Sequence, residues 1–113
     1  KVEYQGMPAT AVLEERVSSS GSSFSLEQNY PNPFNRRTVI RFSLPENQAV
    51  ELFVYDLAGQ QVATLLAGTH PAGVYSIGWD GRDDLGGDLA SGLYLYRLRT
   101  GSRVETRKLL LLK

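Results

Sequence analysis

From Phe24 onward, apolar and polar residues alternate along most of the chain, and turn-forming residues interrupt them at short intervals. Between Val39 and Leu44 the alternation sets Ile40, Phe42 and Leu44 on one face and Val39, Arg41 and Ser43 on the other. That period of two predicts a strand over Thr38–Leu44, ended by Pro45-Glu46-Asn47. Val50–Asp56 is rich in β-branched and aromatic residues, and Leu57-Ala58-Gly59-Gln60 reads as a tight hairpin turn in which Gly59 takes positive φ at little cost. Gln61–Leu66 then returns antiparallel, and Ala67–Gly73 reads as a loop. Val74–Trp79 alternates again, with Tyr75, Ile77 and Trp79 on one face. A long loop over Asp80–Ser91 precedes a last hairpin, Gly92–Arg99 with Arg103–Leu112, turning at Thr100-Gly101-Ser102. With Phe24-Ser25-Leu26 as a short opening strand, the pattern gives roughly seven strands and no helix, which predicts an all-β fold. The expected architecture is an immunoglobulin-like antiparallel β-sandwich, two sheets packing apolar inner faces about 10 Å apart.

The first 23 residues have another character. Ser18-Ser19-Ser20-Gly21-Ser22-Ser23 has the composition of a flexible linker. Lys1–Val17, with the turn-like Gln5-Gly6-Met7-Pro8, reads as the tail of a preceding domain. Residues 1–23 are therefore expected to be tail and tether, and residues 24–113 the folded domain. The chain opens on Lys1 without a signal-peptide pattern, as expected of a segment of something longer.

Composition removes several classes of function. The 113 residues carry 12 basic and 12 acidic side chains, and this zero net charge argues against a nucleic-acid partner, which calls for a basic excess. With no cysteine there is neither a disulfide framework nor a thiolate site. The longest strongly apolar run, Leu109–Leu112, falls far short of the roughly 20 residues of a membrane-spanning helix. His70 is the only histidine and reads as an exposed turn residue, so a histidine-based zinc site or serine triad has no second member in sight.

Three stretches carry candidate chemistry. Tyr30-Pro31-Asn32-Pro33-Phe34-Asn35 contains two X-Pro steps, which hold the preceding residues extended and suit a rigid corner or a recognition loop. Asp80, Asp83, Asp84 and Asp88 form the one acidic cluster. They are read either as structural turns, with Arg82 pairing to a neighbouring carboxylate, or as oxygen ligands for Ca²⁺. An EF-hand is ruled out, because Leu85 stands where its sixth-position glycine belongs. Trp79, Tyr75, Tyr94 and Tyr96 invite a sugar-stacking reading, yet their period of two is that of core residues.

Four stretches, in order, carry a resemblance. They are Tyr30–Asn35, Val54-Tyr55-Asp56-Leu57-Ala58-Gly59-Gln60-Gln61-Val62, Trp79-Asp80-Gly81-Arg82-Asp83 with Ala90-Ser91-Gly92-Leu93-Tyr94, and Lys108–Lys113. Their order and spacing resemble the type A C-terminal sorting domain of proteins exported by the type IX secretion system, and also the immunoglobulin-like domain of flagellar hook-cap proteins. The resemblance spans Phe24–Lys113, departing at Gln60-Gln61, where those families more often have a basic residue beside the glycine. It implies a module at the extreme C-terminus of a secreted or cell-surface protein that travels via the periplasm. The implied partners are a covalently linked N-terminal passenger and the outer-membrane export and surface-attachment machinery.

The terminal strand adds to this expectation. Leu109 and Leu111 point opposite to Leu110 and Leu112, so both faces of Lys108–Lys113 are apolar. Such a strand is either central and covered on both sides or offers one pair to a partner. Arg97, Arg99, Arg103, Arg107, Lys108 and Lys113 accompany one acid there, Glu105. The expected function is a non-catalytic secretion and sorting module. Its recognition residues would be Lys108, Leu109, Leu110, Leu111, Leu112 and Lys113, together with Pro31, Asn32, Pro33 and Phe34. Strand addition at an exposed edge is the expected mode, and deletion of Lys108–Lys113 is expected to abolish export. A carbohydrate-binding accessory module and a hook-cap type assembly domain are the alternatives.

Overall fold

The structure is a computed structural model that describes residues 11–17 as backbone and residues 23–113 in full. The expected turn at Gln5–Pro8 and the serine tract Ser18–Ser22 lie outside the described residues. The described residues form eight strands: β1 (Ala11–Val17), β2 (Ser25–Leu26), β3 (Thr38–Leu44), β4 (Gln48–Tyr55), β5 (Gln61–His70), β6 (Gly73–Trp79), β7 (Gly92–Arg99) and β8 (Val104–Leu111). They build two antiparallel four-stranded sheets in the orders β1-β6-β3-β2 and β5-β4-β7-β8. This is the expected immunoglobulin-like sandwich.

Alternation places the core. Ile40, Phe42 and Leu44 of β3, Tyr75, Ile77 and Trp79 of β6, Leu52 and Val54 of β4, and Tyr96 and Leu98 of β7 all point between the sheets and are buried. Phe42 stacks on Tyr75 at a centroid distance of 5.1 Å. Two tyrosines carry a hydroxyl to a carbonyl four residues upstream, Tyr75 to Pro71 and Tyr94 to Ala90, each at 2.7 Å. Both bonds tie a loop to the strand that follows it, as the tyrosine corner of immunoglobulin domains does. Gly59 (φ 88°) makes the β4–β5 turn, where Asp56 Oδ1 accepts from the amides of Ala58 and Gln60 at 2.9 Å.

Two sequence expectations are revised here. Ala11–Val17, expected as part of a tail, is strand β1, paired along β6 with one register shift between Leu13 and Glu15. The outer edge of β6 presents a row of backbone donors and acceptors, and β1 satisfies them. That pairing joins distant segments, so no local pattern announces it. Ala67–Gly73, expected as a loop, instead extends β5 to His70, because Ala67–His70 pairs with Gln48–Glu51 of β4. In consequence His70 is buried rather than exposed. Its ring meets Tyr75 edge-on at 5.9 Å, Nδ1 lies 3.2 Å from Gly68 O, and burial lowers its pKa below the usual histidine value.

Candidate functional site

The two stretches expected to carry recognition, Pro31–Phe34 and Lys108–Lys113, are far apart in sequence, yet they form one surface. The corner before β3 is held first from inside. Tyr96 Oη accepts from the Asn29 amide at 2.8 Å and donates to Glu27 O at 2.7 Å. Burial pushes the Tyr96 hydroxyl up to about 12. The buried Asn29 side chain donates from Nδ2 to Thr38 Oγ1 (2.9 Å) and to Pro31 O (3.2 Å), and Thr38 Oγ1 donates to the same carbonyl at 2.8 Å. Backbone bonds of 2.9 and 3.0 Å in both directions join Tyr30 to Val39. The Tyr30–Pro31 and Asn32–Pro33 bonds are both cis.

Thus fixed, the corner lies along the outer edge of β8. The Phe34 amide donates to Leu110 O at 3.1 Å, and the Leu112 amide donates to Phe34 O at 2.8 Å. Asn32 Oδ1 accepts from the Leu110 amide at 2.9 Å, and Gln28 Nε2 donates to Lys108 O at 2.7 Å. The Phe34 ring turns inward to Trp79 at 5.8 Å. Gly81 (φ 76°) closes over it: a Cβ there would stand 3.4–3.5 Å from Leu111 and Phe34. Trp79 Nε1 donates to Arg82 O at 3.0 Å, which brings the third motif into the same corner.

This arrangement corrects the expected recognition set. Phe34, Leu109 and Leu111 are buried core residues, so their side chains are not on offer to a partner. Strand β8 is an edge of its sheet, and the corner already occupies that edge from Lys108 to Leu112, so strand addition there is closed off. What the surface does present is Tyr30 (80% exposed), Pro31, Asn32, Pro33, Lys108, Leu112 (48%) and Lys113, with Leu110 half-buried between them.

The acidic loop is drawn into the same end of the sandwich as a set of separate turn locks. Asp80 Oδ1 accepts from the Arg82 amide at 3.2 Å, and Asp83 Oδ1 accepts from the amides of Leu85 (3.0 Å) and Gly87 (2.8 Å). Asp84 reaches β5, its two oxygens taking the Thr64 amide (2.7 Å) and hydroxyl (3.1 Å). Asp88 lies 3.4 Å from Arg82 Nε and 3.3 Å from Lys113 Nζ; the bond and charge of Lys113 hold its carboxyl below the usual range. Asp80 and Asp83 thus hold turns, Asp84 ties the loop to β5, and Asp88 pairs with Arg82 and Lys113. Among the described residues no three His, Cys, Asp or Glu side chains gather to hold a metal ion, so the calcium reading has no assembled ligand set.

Asn29 and Gln28 build the corner with Tyr96; the sequence pattern does not single out the first two, and it marks Tyr96 only as a core aromatic. Their role depends on which buried backbone groups need partners, and only the fold decides that. Tyr75, Trp79, Tyr94 and Tyr96 point inward, as their spacing predicted, which withdraws them from any sugar-stacking surface. No helix among the described residues is long and apolar enough to cross a membrane.

Comparison with known proteins yields matches of two kinds. Two solved structures share the fold: dimeric latent PorU from Porphyromonas gingivalis (20% identity, TM-score 0.64) and PorZ from the same organism (17% identity, TM-score 0.54). The first covers 80% of this chain and 9% of that one, the second 85% and 13%, so the chain corresponds to a small part of each. No curated protein sequence matches. The model of the FlgD Ig-like domain family matches residues 21–103, most of the chain and all of its strands from β2 to β7. By sequence and by fold, then, this chain belongs to the FlgD Ig-like domain family.

Proposed function

We propose that this domain is a non-catalytic sorting module that directs a covalently linked passenger through the type IX secretion system, via the periplasm, to the cell surface or beyond. The observation that carries the reading is the convergence of three separated motifs, Tyr30–Asn35, Trp79–Asp83 and Lys108–Lys113, on one pinned corner. A surface meant to be read by another protein must hold its shape before the encounter, because ordering it on binding subtracts from affinity. Here the presented residues sit on backbone tied down from within by Tyr96 and Asn29 and across to β8 by Phe34. The shared fold with PorZ, described as an essential bacterial surface component of the type IX secretion system, supports the same reading, as does the small share of PorU and PorZ that the domain covers.

Deleting Lys108–Lys113 is a poor test, since it strips Leu109 and Leu111 from the core. Substitutions confined to the surface serve better. A signal peptide, a fluorescent reporter and this chain in one fusion, expressed in a bacterium that has the type IX system, should place the reporter outside the cell. Tyr30→Ala with Leu112→Glu should retain the reporter in the periplasm while leaving the melting temperature of the purified chain unchanged. Export undiminished by that folded variant refutes the assignment of the corner, and no export of the unmodified fusion refutes the sorting role.

Membership of the FlgD Ig-like family favours one second reading, a structural assembly domain of the hook-cap kind. Oligomers that form as concentration rises, seen by analytical ultracentrifugation, would support it over the sorting role.

A further inference from the structure

The outward face of the β5-β4-β7-β8 sheet is unlike the outward face of its neighbour. On β3 and β6 the outward residues are Val39, Arg41, Ser43, Val74, Ser76 and Gly78, small or polar apart from the valines. A sheet with one face in the core is expected to be polar on the other. On β4, β7 and β8, however, the outward positions hold Phe53, Tyr55, Leu93, Leu95 and Leu110. Register makes these a continuous stripe. Tyr55 lies opposite Leu95, and Leu93 lies opposite Leu110. Phe53 and Tyr55 are 6.4 Å apart on the same strand.

Charge on the β4, β7 and β8 part of this face is mostly basic. Its cations are Arg97, Arg99 and Lys108, and Glu51 is occupied by Arg99 at 3.2 Å. Arg97 lies over the Tyr55 ring at 5.0 Å from the centroid, with Nε 3.3 Å from Thr106 Oγ1. Lys108 sits opposite Leu95. Aromatic rings and arginines held in place are the residue types that concentrate binding energy in protein interfaces, and the leucines around them supply apolar area to bury.

We propose that this sheet face is a second docking surface, adjoining the corner at Lys108 and Leu110 and extending from there across β7 and β4, and that its occupant is a protein segment in which aromatic or aliphatic side chains are interspersed with carboxylates. Charge complementarity selects that occupant. A second copy of the same face would set Arg97 and Lys108 against like charges, which disfavours self-pairing. A bilayer asks for apolar side chains that protrude, whereas the stripe lies flat: Leu93, its most exposed member, is 37% accessible, and the other four are half-buried. A flat, half-covered apolar stripe with fixed cations suits a protein surface laid upon it. Phe53, Tyr55, Leu95 and Arg97 lie outside the corner, so the proposal stands whether or not the corner is an export address.

The test is a selection. Short random peptides displayed on phage are panned against the immobilised chain, and enriched peptides are then synthesised and titrated by fluorescence anisotropy. Enriched sequences should combine Asp or Glu with Phe, Trp, Tyr or Leu. The Arg97→Glu/Lys108→Glu double variant should weaken their binding by about tenfold or more, whereas Arg41→Glu on the opposite sheet should leave it unchanged. All three side chains reach solvent, so the variants should melt with the wild type, and a Leu95→Ser variant provides a charge-neutral second test with the same expected loss. Absence of enrichment, enrichment of basic or uncharged peptides, or binding that survives the double variant overturns the proposal. Cosedimentation with phosphatidylglycerol vesicles that the double variant abolishes would assign the face to a bilayer, and dimerisation lost in that variant would assign it to a second copy; either overturns it as well.

Discussion

Replacing Tyr96 with Phe removes one oxygen from a fully buried position while leaving the ring in place, so it isolates the clamp that fixes the corner. That oxygen accepts from the Asn29 amide and donates to Glu27 O. Asn29 is buried, so its amide loses an acceptor that water cannot readily replace, at a cost of about 1–3 kcal/mol. Glu27 is exposed, and solvent takes over its carbonyl at little cost. For a domain of this size about 1 kcal/mol moves the melting temperature by roughly 4–8 °C, so Tyr96→Phe should melt roughly 5–20 °C lower. A second readout comes from alkaline pH. The Tyr96 hydroxyl titrates at about 12 in the folded chain, against 10.0 for an unperturbed tyrosine. A raised folded pKa contributes stability that is intact below pH 10 and is lost as pH climbs toward 12. At about 1.4 kcal/mol per pH unit, that loss reaches roughly 3 kcal/mol. Tyr94 is also raised, but it is present in both proteins and cancels in the difference. Differential scanning calorimetry from pH 7 to 11.5 should therefore show the two melting curves converging as pH rises. Tyr30→Phe, whose hydroxyl is on an exposed ring, is the control and should match the wild type. A variant that melts within about 1 °C of wild type at pH 7, with a parallel alkaline decline, would refute the clamp.

Further predictions concern the packing around this clamp. Phe34→Leu and Leu111→Val should each cost about 1 kcal/mol in urea unfolding; because both side chains press on Gly81, the double variant should depart from additivity by about 0.5 kcal/mol or more, and strict additivity would separate the two segments. His70 has a lowered pKa through burial, so the unfolded chain takes up its proton first; stability is complete above about pH 6.5 and declines as pH falls below it, and His70→Phe should flatten that part of the profile in acid denaturation. Asp83→Ala frees the amides of Leu85 and Gly87, which are exposed and take water instead, so it should lower the melting temperature by only a few degrees, whereas excess EDTA or added Ca²⁺ should leave the wild-type melt unchanged; a chelator-sensitive melt would restore the calcium reading.

Local pattern was enough to place most strands. Thr38–Leu44 and Gly92–Arg99 have the predicted bounds, because a strand with one face in the core must alternate, and turn residues at its ends leave little choice of limit. The same rule put Tyr75, Ile77, Trp79 and Tyr96 inside. It failed where pairing rather than patterning decided the outcome. Ala11–Val17 is a strand because β6 had a free edge, and Ala67–His70 is a strand because β4 extended far enough to pair with it. Backbone hydrogen bonds of that kind are satisfied between segments distant in sequence, so composition within either segment is silent about them.

The terminal leucines mark the same boundary between sequence and structure. Alternation by itself divided Leu109 and Leu111 from Leu110 and Leu112, but it could not say which pair faced the core or what lay along the strand's edge. The fold gave the first pair to the core, placed Leu110 and Leu112 outside, and laid Asn32 and Phe34 along β8. The sequence on its own determined an all-β sandwich and its strand faces, since both follow from short-range periodicity and turn chemistry. Only the tertiary structure decided that Tyr30–Asn35, Trp79–Asp83 and Lys108–Lys113 share one corner, that each carboxylate of the acidic loop has a separate partner, and that one outer sheet face is apolar and basic. Those properties depend on which distant backbones pair and at what register, and a shift of one residue would have turned every side chain to the opposite face.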